Sequence, residues 1–132
     1  MADKVEFELV SPERLLVSKP VEMVVVPGSE GDFGVLIGHA PLISTLRDGV
    51  IEVHDEGRIS DRIFVTGGFA EVTGERCTVL AEEAVPVGEL DRVALEDDLK
   101  TLREDLAAAP DDAMRTGFAR RIEVVEAKLA AL

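Results

Sequence analysis

The chain has 132 residues, 46% of them hydrophobic, and a formal net charge of -13. That length supports one ordinary domain with its own core and a small appendage, while the acidic balance excludes nucleic acid, which needs clustered Lys and Arg, and direct docking on an anionic membrane surface. The single cysteine, Cys77, rules out an internal disulfide and fits a reducing compartment; no apolar run approaches the ~20 residues of a membrane helix, and the opening MADKVEFELV carries no signal or transit pattern.

From the N-terminus, Val5, Phe7 and Leu9 alternate with Glu6 and Glu8, the period-two pattern of a half-buried strand. The Val-rich run Pro20–Val26 reads as a more buried strand. Further strands are expected at 33–37, 42–46, 49–54, 58–66, 68–73 and 76–81. Pro27-Gly28, Asp48-Gly49, Glu56-Gly57, Gly67-Gly68 and Gly74 supply turns between strands. Many short strands at a spacing near ten residues predict an antiparallel β-sandwich or barrel.

Composition changes near Gly88. Ten of the eleven glycines and five of the six prolines precede residue 89, and residues 89–132 are rich in Ala, Leu, Glu and Arg. We therefore expect a β domain over 1–88 and a helical domain over 89–132. Leu95, Leu99, Leu102 and Leu106 step by four, three and four, one face of a helix. Asp91 is placed as its N-cap, with Leu90 and Leu95 at the positions of a hydrophobic staple. The run Ala-Ala-Ala-Pro110-Asp111 ends this helix and starts the next. Phe118, Ile122, Val125, Leu129 and Leu132 repeat the stripe on the second helix, which predicts an antiparallel two-helix hairpin. Gly117 lies inside that helix and weakens it by ~1 kcal/mol relative to Ala.

The stretch from Val26 to Gly49 is the most punctuated, with five glycines, two prolines, three acids and one histidine. Its glycines do not form a phosphate loop, because no GK[ST] is present and Glu30 and Asp32 repel an anion. His39 and His54 lack metal-ligand spacing, so no metal and no cofactor is expected. Cys77, in a strand pattern, reads as a small buried apolar residue. No arrangement for general acid, general base or nucleophilic work is recognisable, so the residues point to a contact surface. On the last helix, Arg115, Arg120, Arg121 and Lys128 form a basic group, read either as a solvated face with local ion pairs or as a dock for an acidic partner segment.

The run GSEGDFGVLIGHAPLISTLRDG then closely resembles the epsilon subunit of F-type rotary ATP synthases. The family pattern is met by Gly28, Glu30, Gly31, Gly34, Gly38, His39, Pro41, Leu46 and Gly49, and the segments FELVSPERLL at 7–16 and VTGGFAEVTGERCTVLAEEA at 65–84 agree. The resemblance covers 1–88 closely and extends over 89–132 by architecture.

It implies a non-catalytic central-stalk subunit that couples ion-driven rotation to ATP synthesis. It also implies a peripheral position at the cytoplasmic face of a bacterial inner membrane, reaching that membrane only through the complex. The implied ring contact, with the c-subunit ring, falls on Ser29, Glu30, Gly31 and Asp32. The implied contact with the gamma subunit falls on His39, Ala40, Pro41 and Ser44. An inhibitory contact of the hairpin with the beta subunit of the alpha/beta catalytic head would use Arg115, Arg120, Arg121 and Lys128. Some bacterial members bind ATP through a motif at the hairpin start. Here Asp91 matches it, but Ala94 and Val125 stand where arginines are required, and Arg92 lies about 200° around the helix from Ala94. Without that cation fork no ATP site is expected. The competing readings are a nucleotide-sensing regulatory subunit and an unrelated β-sandwich domain, enzyme or binding module.

Overall fold

The computed structural model describes residues 3–132 and resolves them into two compact units, residues up to Gly88 and residues from Glu89 onward. The first is a sandwich of ten strands: β1 (Val5–Val10), β2 (Leu15–Val21), β3 (Met23–Gly28), β4 (Gly31–Val35), β5 (Leu42–Thr45), β6 (Gly49–Asp55), β7 (Arg58–Thr66), β8 (Phe69–Val72), β9 (Arg76–Leu80) and β10 (Glu83–Pro86). They form two five-stranded sheets, ordered β2-β1-β9-β8-β5 and β10-β7-β6-β3-β4. All pairs are antiparallel except β1 with β9, a long-range pairing that no local pattern announces.

Alternation builds the core. Val5, Phe7 and Leu9 of β1 are buried together with Val24, Val26, Ile51, Val53, Ile63, Val65, Val72, Cys77 and Val79. The two inner faces interdigitate as in aligned sandwiches, and each large apolar side chain so buried contributes roughly 1.5–3 kcal/mol.

Beyond one-residue shifts at strand ends, the sequence reading differs from the structure in four places, the first being Leu15–Lys19, the start of β2, which lies in no expected strand. Pro20 to Val26 is two strands, because the chain turns a corner at Glu22: Pro20 and Val21 end β2 in one sheet, and Met23 begins β3 in the other. Proline fits at that place because β2 is an edge strand with no partner on its outer side. The strand expected at 33–37 is Gly31–Val35, since Asp32 and Gly31 stay paired with Pro27 and Gly28 up to the hairpin tip, while Leu36 and Ile37 leave the sheet exposed. The short β10 carries no alternation strong enough to announce it.

A 3-10 turn, Val87–Glu89, runs into the start of the second unit. Helix α1 (Arg92–Ala108) begins at the N-cap Asp91, whose carboxylate accepts from the N–H groups of Val93 and Ala94. Helix α2 (Asp112–Ala130) is capped by Asp111, which accepts from Met114 N–H. Pro110 thus precedes the cap rather than opening the helix. The helices pack as a hairpin, bridged by Arg103 and Glu126 at 3.7 Å. Leu95 and Val125 are buried, and Leu99, Leu102, Leu106, Phe118, Ile122 and Leu129 are half-buried.

Candidate functional site

The acidic turn is the tip of the β3–β4 hairpin, where Gly28 pairs with Gly31 and only Ser29 and Glu30 intervene. Neither tip residue has a positive φ; Gly31, at φ +134°, takes the conformation that side chains avoid. Gly28 is needed for another reason. A Cβ there would lie 2.8 Å from the Gly31 carbonyl oxygen and 2.9 Å from the Phe33 ring. Ser29, Glu30 and Asp32 are all exposed.

The loop between β4 and β5 carries the second group of residues. Gly38 adopts φ +83°, and its N–H donates to Gly74 O at 2.6 Å, tying the loop to the β8–β9 turn. His39 is half-buried, and its Nδ1 lies 2.7 Å from Ala40 O, the geometry of an Nδ1–H donor. Its ring is 6.5 Å from that of Phe33 on β4. Ala40 and Pro41 are exposed. Ser44 donates to Thr45 O at 2.9 Å. A shallow groove of about 550 Å³ runs between the acidic turn and β5, bordered by Glu30, Asp32, Phe33, Ile43 and Ser44. The turn and Ser44 therefore share one surface, and His39 joins it through Phe33.

Sequence reasoning missed three contributors. Arg47 bonds the Asp32 carboxylate and Gly28 O, although it lies inside the same punctuated stretch. Ile43 is 69% exposed beside the groove. A cross-strand row, Leu15, Val10, Leu80, Phe69 and Thr45, crosses the whole outer face of its sheet, and Leu15, Leu80 and Phe69 are all exposed. Leu15, Val10, Leu80 and Phe69 thus form an apolar line that ends at the polar Thr45. Its signal exists only in the pairing register, because the five residues come from five separate strands.

The basic residues of α2 are engaged locally. Arg115 bonds Asp112 at 2.8 Å and Ala109 O at 3.3 Å, Arg120 pairs with Glu123 at 3.4 Å, and the Arg121 guanidinium lies 5.8 Å from the Phe118 ring centre. Lys128 is half-buried. At the hairpin start, the Asp91 carboxylate is occupied as a helix cap, Ala94 is exposed and Val125 is buried.

Burial pushes the Cys77 thiol up to about 12, so it stays a neutral apolar group. His54 faces Glu52 at 3.3 Å. Among the described residues, no group of three or more His, Cys, Asp or Glu could hold a metal ion, and no helix is long and apolar enough to cross a membrane.

The family model for the ATP synthase delta/epsilon chain β-sandwich domain matches residues 4–87. The chain belongs to the ATP synthase delta/epsilon family. It is 55% identical over 132 residues to the ATP synthase epsilon chain of Paramagnetospirillum magneticum, covering 100% of this chain and 99% of that one. It is 57% identical over 134 residues to the epsilon chain of Rhodospirillum centenum, covering 98% and 92%. Among solved structures, a chain of the Euglena gracilis mitochondrial ATP synthase, determined with its c-ring, superposes with a TM-score of 0.84 at 30% identity, covering 98% of this chain and 81% of that one. A central-stalk and c-ring structure from Tetrahymena thermophila shares the fold, with a TM-score of 0.62 at 15% identity. The sandwich and the two C-terminal helices are those of this family, and the resemblance read from the Gly28–Gly49 run is correct.

Proposed function

We propose that this chain is a non-catalytic rotor subunit in the central stalk of an ATP synthase, with the β3–β4 turn meeting the c-subunit ring and the loop before β5 meeting the gamma subunit. The observation that carries the reading is the exposed acidic tip, Ser29 to Asp32, on a rigid hairpin in a chain that matches epsilon chains along its whole length. Carboxylates held in fixed positions complement the basic polar loops of a ring and set its register. The gamma-facing surface takes in His39, Ala40, Pro41 and Ser44, enlarged by Ile43 and the apolar row from Leu15 to Phe69. Apolar area at the centre of a contact supplies affinity, while the charged rim steers encounter. Such a subunit is peripheral, at the cytoplasmic face of a bacterial inner membrane.

Arg115, Arg120, Arg121 and Lys128 are the candidates for contact with the beta subunit of the catalytic head. Exposed ion pairs such as Arg115–Asp112 are worth roughly 0–1 kcal/mol, so exchanging them for acids of the head costs little. The test of the central reading is co-purification with the gamma subunit: a chain carrying Ile43→Asp and Phe69→Asp is expected to lose gamma while remaining folded. Retention of gamma by that variant would sink the assignment of this face.

A further inference from the structure

The acidic turn is held by a residue from outside the hairpin. Arg47 lies just after β5 and reaches back to it. Its backbone N–H donates to Pro27 O at 3.0 Å, its Nη1 to Gly28 O at 2.7 Å, and its Nη2 to the Asp32 carboxylate. Thr45 adds a second tie: Ser29 N–H donates to Thr45 O at 2.9 Å, and Thr45 Oγ1 donates to Ser29 Oγ at 2.9 Å. Gly28 and Leu46 form a β-bridge between them. Because β3 and β4 belong to one sheet and β5 to the other, these bonds close the sandwich at the corner where the turn projects. Glu30 takes part in none of them.

We infer that Arg47 is a positioning residue for the acidic turn, tying Asp32 back to the body of the domain and leaving Glu30 as the carboxylate presented to a cationic partner surface. This rests on the proposed ring contact and makes it specific. The guanidinium suits the task because two nitrogens held in one plane donate separately, Nη1 to a carbonyl and Nη2 to a carboxylate, whereas a lysine would have to serve both acceptors from one ammonium nitrogen. The Arg47 and Asp32 side chains are 45% and 59% exposed, so their pairing adds little stability. Its effect is geometric: with Ser29 and Asp32 both fastened, the two-residue tip has one orientation. Two acids that look equivalent in the sequence thus have different roles, Asp32 tied to Arg47 as part of the clamp and Glu30 outside it.

The test uses Glu30→Cys, labelled with a short photoactivatable maleimide and assembled into the whole synthase. Cys77 is fully buried, so the engineered thiol takes the label. Cross-linking to the ring is measured per incorporated chain, with Arg47 intact and with Arg47→Gln. We expect a ring cross-link when Arg47 is present, and a loss of about fivefold or more with Arg47→Gln, as for a site whose supporting shell has been removed. Arg47→Lys is expected to fall between. Unchanged yield in Arg47→Gln overturns the positioning role, as does a yield that falls only in proportion to the folded fraction measured by denaturation of the same variant. No ring cross-link with Arg47 intact overturns the ring contact itself, and the inference with it. Should Arg47→Gln fail to assemble, Asp32→Asn leaves the bond to Gly28 in place, and a partial loss of cross-linking is expected; no loss in that variant overturns the proposal equally.

Discussion

A side chain on Gly68 would collide with the backbone of Leu80: an ideal Cβ there lies 1.8 Å from the Leu80 carbonyl oxygen. Gly68 also adopts φ +88°, and its carbonyl accepts from Leu46 N–H at 3.1 Å. The residue therefore lets β8 start hard against β9 while holding the end of β5. Gly68→Ala combines left-handed strain of about 1–2 kcal/mol with a backbone displacement that breaks this packing. A loss of roughly 2–4 kcal/mol is expected, measured by urea denaturation of the full chain. A loss below about 1 kcal/mol would show that the strand pair shifts freely to admit the methyl group.

The β6–β7 turn carries the opposite kind of glycine neighbour. Asp55 pairs with Arg58, and the two residues between them, Glu56 and Gly57, adopt φ +54° and +78°. Positive φ at both positions is the mark of a type I′ hairpin turn, which favours Asn-Gly. Glu56 is thus a side chain in left-handed backbone. Glu56→Asn is expected to stabilise the chain by roughly 0.5–1 kcal/mol, the part of the left-handed cost that asparagine relieves. A rise in the urea midpoint at constant slope is the expected reading, and an unchanged or lowered midpoint would count against it.

Both glycines are visible as turn signals in Glu56-Gly57 and Gly67-Gly68, because turn chemistry is local. The alternation in Val5, Phe7 and Leu9 and the helical stripes are equally legible, since each depends on residues a few positions apart. The corner at Glu22 is not, because buried valines lie on both sides of it, Val21 in one sheet and Val24 and Val26 in the other, so the Val-rich run reads as continuous. Nor is the parallel pairing of β1 with β9, or the apolar row that depends on it, since both join residues some seventy positions apart. At the acidic turn, charge and rigidity can be read from Glu30, Asp32 and the glycines. The difference between the two acids cannot, because Arg47 meets Asp32 only after the two sheets have closed.

Lys4 and Asp55 form an ion pair at 3.0 Å, and each moves the other. The Lys4 ammonium beside it lowers the Asp55 carboxyl below the usual carboxylate range, and the same contact raises Lys4 above the usual lysine range. The Asp55 contribution is fully present above the ordinary carboxylate value and is lost as pH falls through the lowered one; the Lys4 contribution is fully present below the ordinary lysine value and is lost as pH rises through the raised one. Parent and Lys4→Met are therefore expected to differ by a constant amount across neutral pH and to converge at both extremes. Denaturation profiles that stay parallel into strong acid would show that the pair is not coupled to folding.

Cys77 reports on opening of the sandwich core. It is fully buried between Phe7 on β1 and Val72 on β8, its partners in register, and burial pushes its thiol up to about 12. The thiolate, not the thiol, attacks disulfide and maleimide reagents, so access and ionisation both block reaction in the folded sandwich. Labelling must wait for β9 to separate from β1 and β8, which requires the core to open. The rate with a neutral thiol reagent is expected to track the open population and to rise with urea in step with global unfolding. Gly68→Ala, which weakens the same strand pair, should accelerate it by the factor its lost stability predicts. Rapid labelling in the native chain, independent of urea, would mean that β9 detaches locally and that the parallel pairing with β1 contributes little to the closed sandwich.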